Sequence, residues 1–193
     1  MENKKAILVT DGDRTASNVV ELAANNLGLE VISESAGNPT PHSGQRLIEI
    51  IKKTEENNPI VVMFDDQGDL GEGVGEEAMK IVVSSPEIEV LGVLAVASDA
   101  KDVRGVNPDF SITNQGEIVD RPVDKKGEVE AEGHQILEGD TVDIINAFND
   151  LLVVGTGDLG KMQGKDDYEF GAPITTKALQ EILKRSEELD EDY

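Results

Sequence analysis

Residues 61–83 read VVMFDDQGDLGEGVGEEAMKIVV. The apolar run from Ile60 to Phe64 is short and has no polar face, so it fits a strand covered on both sides. Asp65 and Asp66 end it. A loop with glycines at 68, 71, 73 and 75 follows, and from Glu76 to Val83 the apolar residues fall at helical spacing. A strand that passes through a glycine loop into a helix is half of a β-α-β unit. Units of that kind build parallel sheets.

The unit recurs in both directions. Upstream, Ala6 to Val9 is another continuous apolar run, and Asp11-Gly12-Asp13 turns the chain. Ala16, Val19, Val20, Ala23, Ala24 and Leu27 then mark an amphipathic helix that Gly28 stops. Leu29 to Ile32 reads as a strand, and Leu47, Ile48, Ile50 and Ile51 as a helix. Downstream, Val90 to Ala97 and Leu151 to Val154 are strands, and Pro173 with Thr175 opens a last helix. The expected fold is a three-layer α/β domain over residues 1–186. Its sheet is mainly parallel, with five strands near 6–10, 29–33, 60–64, 90–97 and 151–154 and helices on both faces. The flavodoxin-like strand order 2-1-3-4-5 is expected. Between 105 and 135 the chain turns polar, and short runs flanking Asn114-Gln115-Gly116 predict a β-hairpin insertion. Residues 187–193 form an acidic tail expected to fray.

Charge narrows the function. Forty Asp and Glu against seventeen Lys and Arg leave a net charge of −23, in a chain of 193 residues. A field of that sign repels phosphate backbones and anionic lipid, which argues against nucleic acid and membrane surfaces. It favours a basic protein partner or a cation; solubility or a saline host would explain it equally well. With no cysteine, disulfides, thiolate metal sites and cysteine nucleophiles are excluded. No apolar leader segment and no apolar run of about eighteen residues is present, so a soluble product is expected.

Ligands of open parallel sheets bind beyond the carboxyl ends of the strands, and three suggestive loops fall there. Asp11 and Asp13 follow the first strand, and Asp65 and Asp66 the third. If the four converge, they form a weak site for Ca²⁺ or Mg²⁺, the hard cations that prefer carboxylate oxygens. That arrangement faintly resembles Toprim nucleotidyl-transfer domains, although no glutamate follows the first strand and Asp-Asp replaces Asp-x-Asp. A Mg²⁺-dependent phosphoryl-transfer enzyme is therefore the alternative function. Asp and Gly are also ordinary turn formers, and Asp caps helices. The third loop, GTGDLGKM at 155–162, approaches a phosphate-binding P-loop but places Met162 where a hydroxyl ligand belongs. His42 and His134 lie far apart, and no nucleophile-base pair can be drawn.

Several blocks together carry a resemblance. They are SAGNPTP at 35–41, MFDDQGDLGEGVGEEA at 63–78, VLGVLAVAS at 90–98, GDTV at 139–142, VGTGDLGKM at 154–162 and GAPITTKA at 171–178. In this order the chain resembles the soluble form of the stage V sporulation protein AE family of spore-forming Firmicutes, over nearly its whole length. The resemblance implies a non-enzymatic subunit, without a cofactor, of the complex that moves dipicolinic acid with calcium into developing spores and out at germination. It implies partners too: a soluble thiolase-like subunit and polytopic membrane subunits of that complex, in the forespore or spore. No ligand residue of the family carries over. From the residues alone, the expected docking face is Asp65, Asp66, Asp69 and Glu72 with Asn38 and Pro39 of the stiff neighbouring loop.

Overall fold

The computed structural model describes residues 3–54, 58–67, 73–99 and 103–191. Seven strands make one sheet: β1 (Lys4–Val9), β2 (Glu30–Val31), β3 (Ile60–Met63), β4 (Ile88–Val96), β5 (Phe110–Ile112), β6 (Ile118–Val119) and β7 (Val153–Thr156). Four helices flank it: α1 (Arg14–Leu27), α2 (Gly44–Ile51), α3 (Val74–Val83) and α4 (Pro173–Glu191). Every strand pair is parallel except β5 with β6. The chain is thus a mainly parallel α/β fold, as its alternating pattern predicts.

Strand runs are continuous in apolar residues because both faces are covered. Ile7 and Val9 of β1 face α1 and α4, among Val19, Val20, Ala23, Leu179 and Ile182. Ala6 and Leu8 face α2 and α3, among Leu47, Ile51, Ala78, Met79 and Val82. Successive residues of one strand therefore serve opposite cores, which is the period-2 rule applied to a sheet between two helical layers.

The strand order is β2-β3-β1-β4-β7-β5-β6, so the five expected strands run 2-3-1-4-5 and not 2-1-3-4-5. Length explains the exchange of β1 with β3. Six residues of β1 pair along the nine of β4, from Lys4 opposite Ile88 to Val9 opposite Leu94. The four-residue β3 sits outside them and carries the two-residue β2 at the edge. Placing the longest strands at the centre makes the most ladder hydrogen bonds.

The hairpin region needs a second correction. Phe110–Ile112 is no insertion outside the sheet: Phe110, Ser111 and Ile112 pair in parallel with Val154, Gly155 and Thr156 of β7. Antiparallel β6 then closes this edge of the sheet. The acidic end also differs, since α4 continues to Glu191, past the boundary at 186.

Helix α4 starts on a carboxylate that lies outside it. Asp166 is fully buried; its Oδ1 accepts the N–H groups of Ile174 and Thr175, each at 2.9 Å. Its Oδ2 accepts the Thr175 hydroxyl at 2.6 Å and the Gly160 N–H at 3.1 Å. One side chain thereby satisfies first-turn donors of the helix and ties them to the loop after β7. Replacing Asp166 by Ala should lower unfolding stability by about 3 kcal/mol, from a lost cap and newly unsatisfied donors. Urea melts of the two proteins measure this; a difference under about 1 kcal/mol would mean water replaces the carboxylate.

Candidate functional site

Parallel strands place all their following loops on one edge. There Gly12 O accepts the N–H of Gly37 at 2.8 Å, and Gly12 N–H donates to Asp65 Oδ2 at 3.2 Å. Thr40 joins the same knot: its N–H donates to Asp65 O at 2.9 Å, and its hydroxyl accepts the Asp65 N–H at 2.8 Å. A side chain at position 12 would lie 2.9 Å from Gly37 O, so the approach requires glycine. The loops after β1, β2 and β3 are thus one interlocked surface.

The paired aspartates at the end of β3 point inward. Asp66 Oδ1 accepts the Gly75 N–H at 2.5 Å and its Oδ2 the Glu76 N–H at 3.0 Å. Those are first-turn donors of α3, so Asp66 caps the helix and meets its positive end. The glycines between follow from this closeness. A Cβ at Gly73 would fall 2.2 Å from Asp66 Oδ1, and one at Gly75 would fall 2.5 Å from Asp65 O. Asp65 accepts Gln67 N–H through Oδ1 at 3.1 Å, alongside Gly12. Glu76 also turns in and accepts the Ile144 N–H at 3.1 Å.

This burial corrects the expected docking face. Asp65 is 4% exposed and Asp66 2%, so neither is a contact residue. Asn38 and Pro39 are exposed on the knotted loop, as docking requires. Asp69 and Glu72 lie outside the described residues.

Around the knot the electrostatics are those of crowded carboxylates. Burial first, then the charges of Asp13, Asp65 and Asp158, push the Asp11 carboxyl from 3.8 to about 8. The N–H of Asp13 works against that shift, donating to Asp11 Oδ1 at 3.3 Å. Burial likewise raises Asp65 and Asp66, while their backbone N–H donors pull the other way. Asp13 caps α1 through Oδ1, 2.8 Å from Ala16 N, and its Oδ2 lies 3.6 Å from Lys161 Nζ. Lys161 also meets Asp158 at 3.0 Å. Burial acts to lower the Lys161 ammonium's pKa, but Asp158, Asp13 and Asp11 outweigh it and hold it above the usual value.

A family model described as stage V sporulation protein AE1 matches residues 5–186, through the core strands, the knotted edge and most of α4. The chain belongs to that family. Its role accordingly lies in sporulation. No curated protein and no solved structure matches the chain. Among the described residues of this sporulation protein, no helix is long and apolar enough to cross a membrane.

Two chemical readings of the edge meet the same geometry. Among the described residues, no three His, Asp or Glu side chains assemble as cation ligands. Asp11, Asp13, Asp65 and Asp66 each accept a backbone N–H group, and Lys161 stands beside Asp13. Among the described residues, these four acids do not assemble into the expected Ca²⁺ or Mg²⁺ ligand group.

The loop after β7 is similarly committed. Asp158 N–H donates to Lys125 O at 2.9 Å, and Gly160 N–H to Asp166. Met162 is buried, its Sδ 3.9 Å from the Thr156 hydroxyl, and only the short turn Met162–Gly164 follows. The residues that sequence reasoning passed over are Thr40, Glu76 and Asp166. Each bonds a segment remote in the chain, and a capping motif read at fixed spacing does not find them.

The Asp11 shift gives stability a pH dependence of known sign. The folded protein holds a proton that the unfolded chain releases near pH 4, so this contribution is full below that pH and lost as pH rises towards 8. Asp11→Asn stays neutral and keeps the oxygen that faces Asp13. Its Tm should exceed wild type at pH 8 by about 3 °C or more and converge with it near pH 4. Melting curves across that range check it; equal Tm values at pH 8 would mean Asp11 is ionised when folded.

ATP and GTP should not bind, because the N–H groups of Asp158, Gly160 and Lys161 are already bonded within the chain and the surroundings are acidic. Calorimetry at micromolar nucleotide should show no heat of binding. A saturable heat that Lys161→Ala abolishes would contradict this.

Proposed function

We propose that this chain is a soluble, non-enzymatic subunit of the sporulation assembly that moves dipicolinic acid with calcium, into the developing spore and out at germination. It works without a cofactor, by docking to other subunits: the soluble thiolase-like one first, and through it the polytopic membrane subunits. On this reading it resides in the forespore and spore, at the membrane only through its partners.

The observation that carries the proposal is the use to which the edge puts its acids. Catalysis needs groups free to accept a proton, attack, or ligate a metal. Asp65, Asp66 and Glu76 instead hold backbone N–H groups and make the edge stiff. A stiff contour with Asn38 and Pro39 outermost and a net charge of −23 behind it suits recognition. Preordered loops lose little entropy on binding, and charge speeds encounter with a basic partner.

Association with the purified thiolase-like subunit, followed by surface plasmon resonance over a range of salt, tests the idea. Asp69→Lys/Glu72→Lys should slow association several-fold at low salt and flatten its salt dependence, with Tm unchanged. Association at the wild-type rate at every salt concentration would remove the acidic loop from the docking face.

A further inference from the structure

The chain has only six aromatic side chains, four Phe and two Tyr, and Phe64 and Phe110 are buried in the cores. Tyr168 and Phe170, by contrast, stand on one short turn, 55% and 75% exposed. Large apolar groups held in water on an otherwise charged chain ask for a reason, since scattered exposure of single small residues is ordinary and a paired aromatic ridge is not.

The turn is firmly held. Asp167 O accepts the N–H groups of Phe170 at 3.0 Å and Ala172 at 3.2 Å, and the Asp167 carboxylate accepts the Glu169 N–H at 2.8 Å. Gly171 N–H returns to Tyr168 O at 3.0 Å. Asn26 of α1 braces it from the side, donating to Gly171 O and to the Thr176 hydroxyl, both at 3.2 Å. Asp166, immediately before, is the buried anchor of α4. The rings are thus presented on fixed backbone, as interface anchors are, with little ordering left to lose.

Beside them lies a hollow of about 460 Å³ lined by Asn18, Glu21, Leu22, Asn25 and Tyr168. Acids lie close by: Glu21 lines the hollow with Tyr168, and Asp167 and Glu169 alternate with the two rings along the chain, with Lys165 the basic neighbour. Aromatic faces ringed by carboxylates attract guanidinium and ammonium groups by both cation–π and ion-pair contact. The same charge disfavours a second copy of a chain carrying −23, and repels single-stranded nucleic acid, the other ligand that stacks on exposed rings.

We propose that Tyr168 and Phe170 form a docking ridge for a different protein, whose facing surface offers apolar sockets rimmed by Arg or Lys. The ridge is separate from the loops at Asn38 and Pro39, and its test does not depend on them.

The experiment places benzoylphenylalanine at Phe170 of the full chain in sporulating cells, with the same group at exposed Gln45 on α2 as control, and maps the photo-crosslinked peptides by mass spectrometry. The expected product is one dominant peptide from another protein, with Arg or Lys flanking apolar residues. A synthetic peptide of that sequence should then bind wild type at least tenfold more tightly than Tyr168→Ser/Phe170→Ser, whose Tm stays at the wild-type value. Crosslinks to a second copy, to nucleic acid or to an acidic segment would overturn the proposal. So would a yield no higher than at Gln45, or equal peptide affinity for the double variant.

Discussion

Closure of the Asp66 carboxylate on the first amide groups of α3 is the contact on which the rest of the edge depends. It fixes where the helix starts, 2.5 Å and 3.0 Å from the two carboxylate oxygens, and so fixes Glu76. Glu76 in turn receives Ile144 N–H and holds the short helical turn Asp143–Ala147. That turn reaches further: the Asp143 carboxylate accepts the N–H of Gly105 at 2.7 Å, and Asn146 donates to Gly105 O at 2.8 Å. A polar stretch with little regular structure is thereby fastened to the sheet through one capped helix.

Acidity and architecture are linked through the same physics. In a parallel α/β fold every helix that follows a strand begins at the carboxyl edge, so the positive ends of the helix dipoles collect there. Asp13 caps α1, Asp66 caps α3 and Asp166 caps α4, while α2 begins on Ser43. Each anion lowers the energy of the amide groups it meets, and each raises the energy of the next anion brought near. Asp11, without a helix of its own to cap, is raised first by burial and then by the charges of Asp13, Asp65 and Asp158, and holds its proton to about pH 8. Lys161 is the counterweight, set between Asp13 and Asp158.

This separates what the sequence made legible from what it did not. β1, β3, β4 and β7 are readable because unbroken apolar runs have one explanation when both faces are covered. β5 and β6 are readable as a hairpin about Asn114–Gly116 but not as part of the sheet, since three residues inside a polar stretch do not show that β5 pairs with β7. Strand order escaped because helix connections of similar length permit several arrangements. The acids at the strand ends were visible, but their direction was not. Capping, ligation and solvation use the same residues at the same spacing, and only the position of α3 relative to β3 decides among them. Asp166 was hidden because its partners lie six residues before it and eight and nine after it.

Which function such an edge permits follows from what remains mobile in it. An active site must leave at least one ionisable group free to change partners during a turnover, whereas the buried Asp65, Asp66 and Glu76 each accept backbone N–H groups. Exchanging the Asp66 contacts for a substrate contact would unpin the start of α3. Recognition makes the opposite demand: the groups that shape the surface stay fixed, and on the readings proposed above only exposed residues such as Asn38, Tyr168 and Phe170 would meet the partner. On the docking reading proposed above, a chain of this sporulation family would serve as a rigid, strongly anionic element between other subunits. On that same docking reading, its long-range field would draw basic partners in and its fixed backbone would set the register in which they settle.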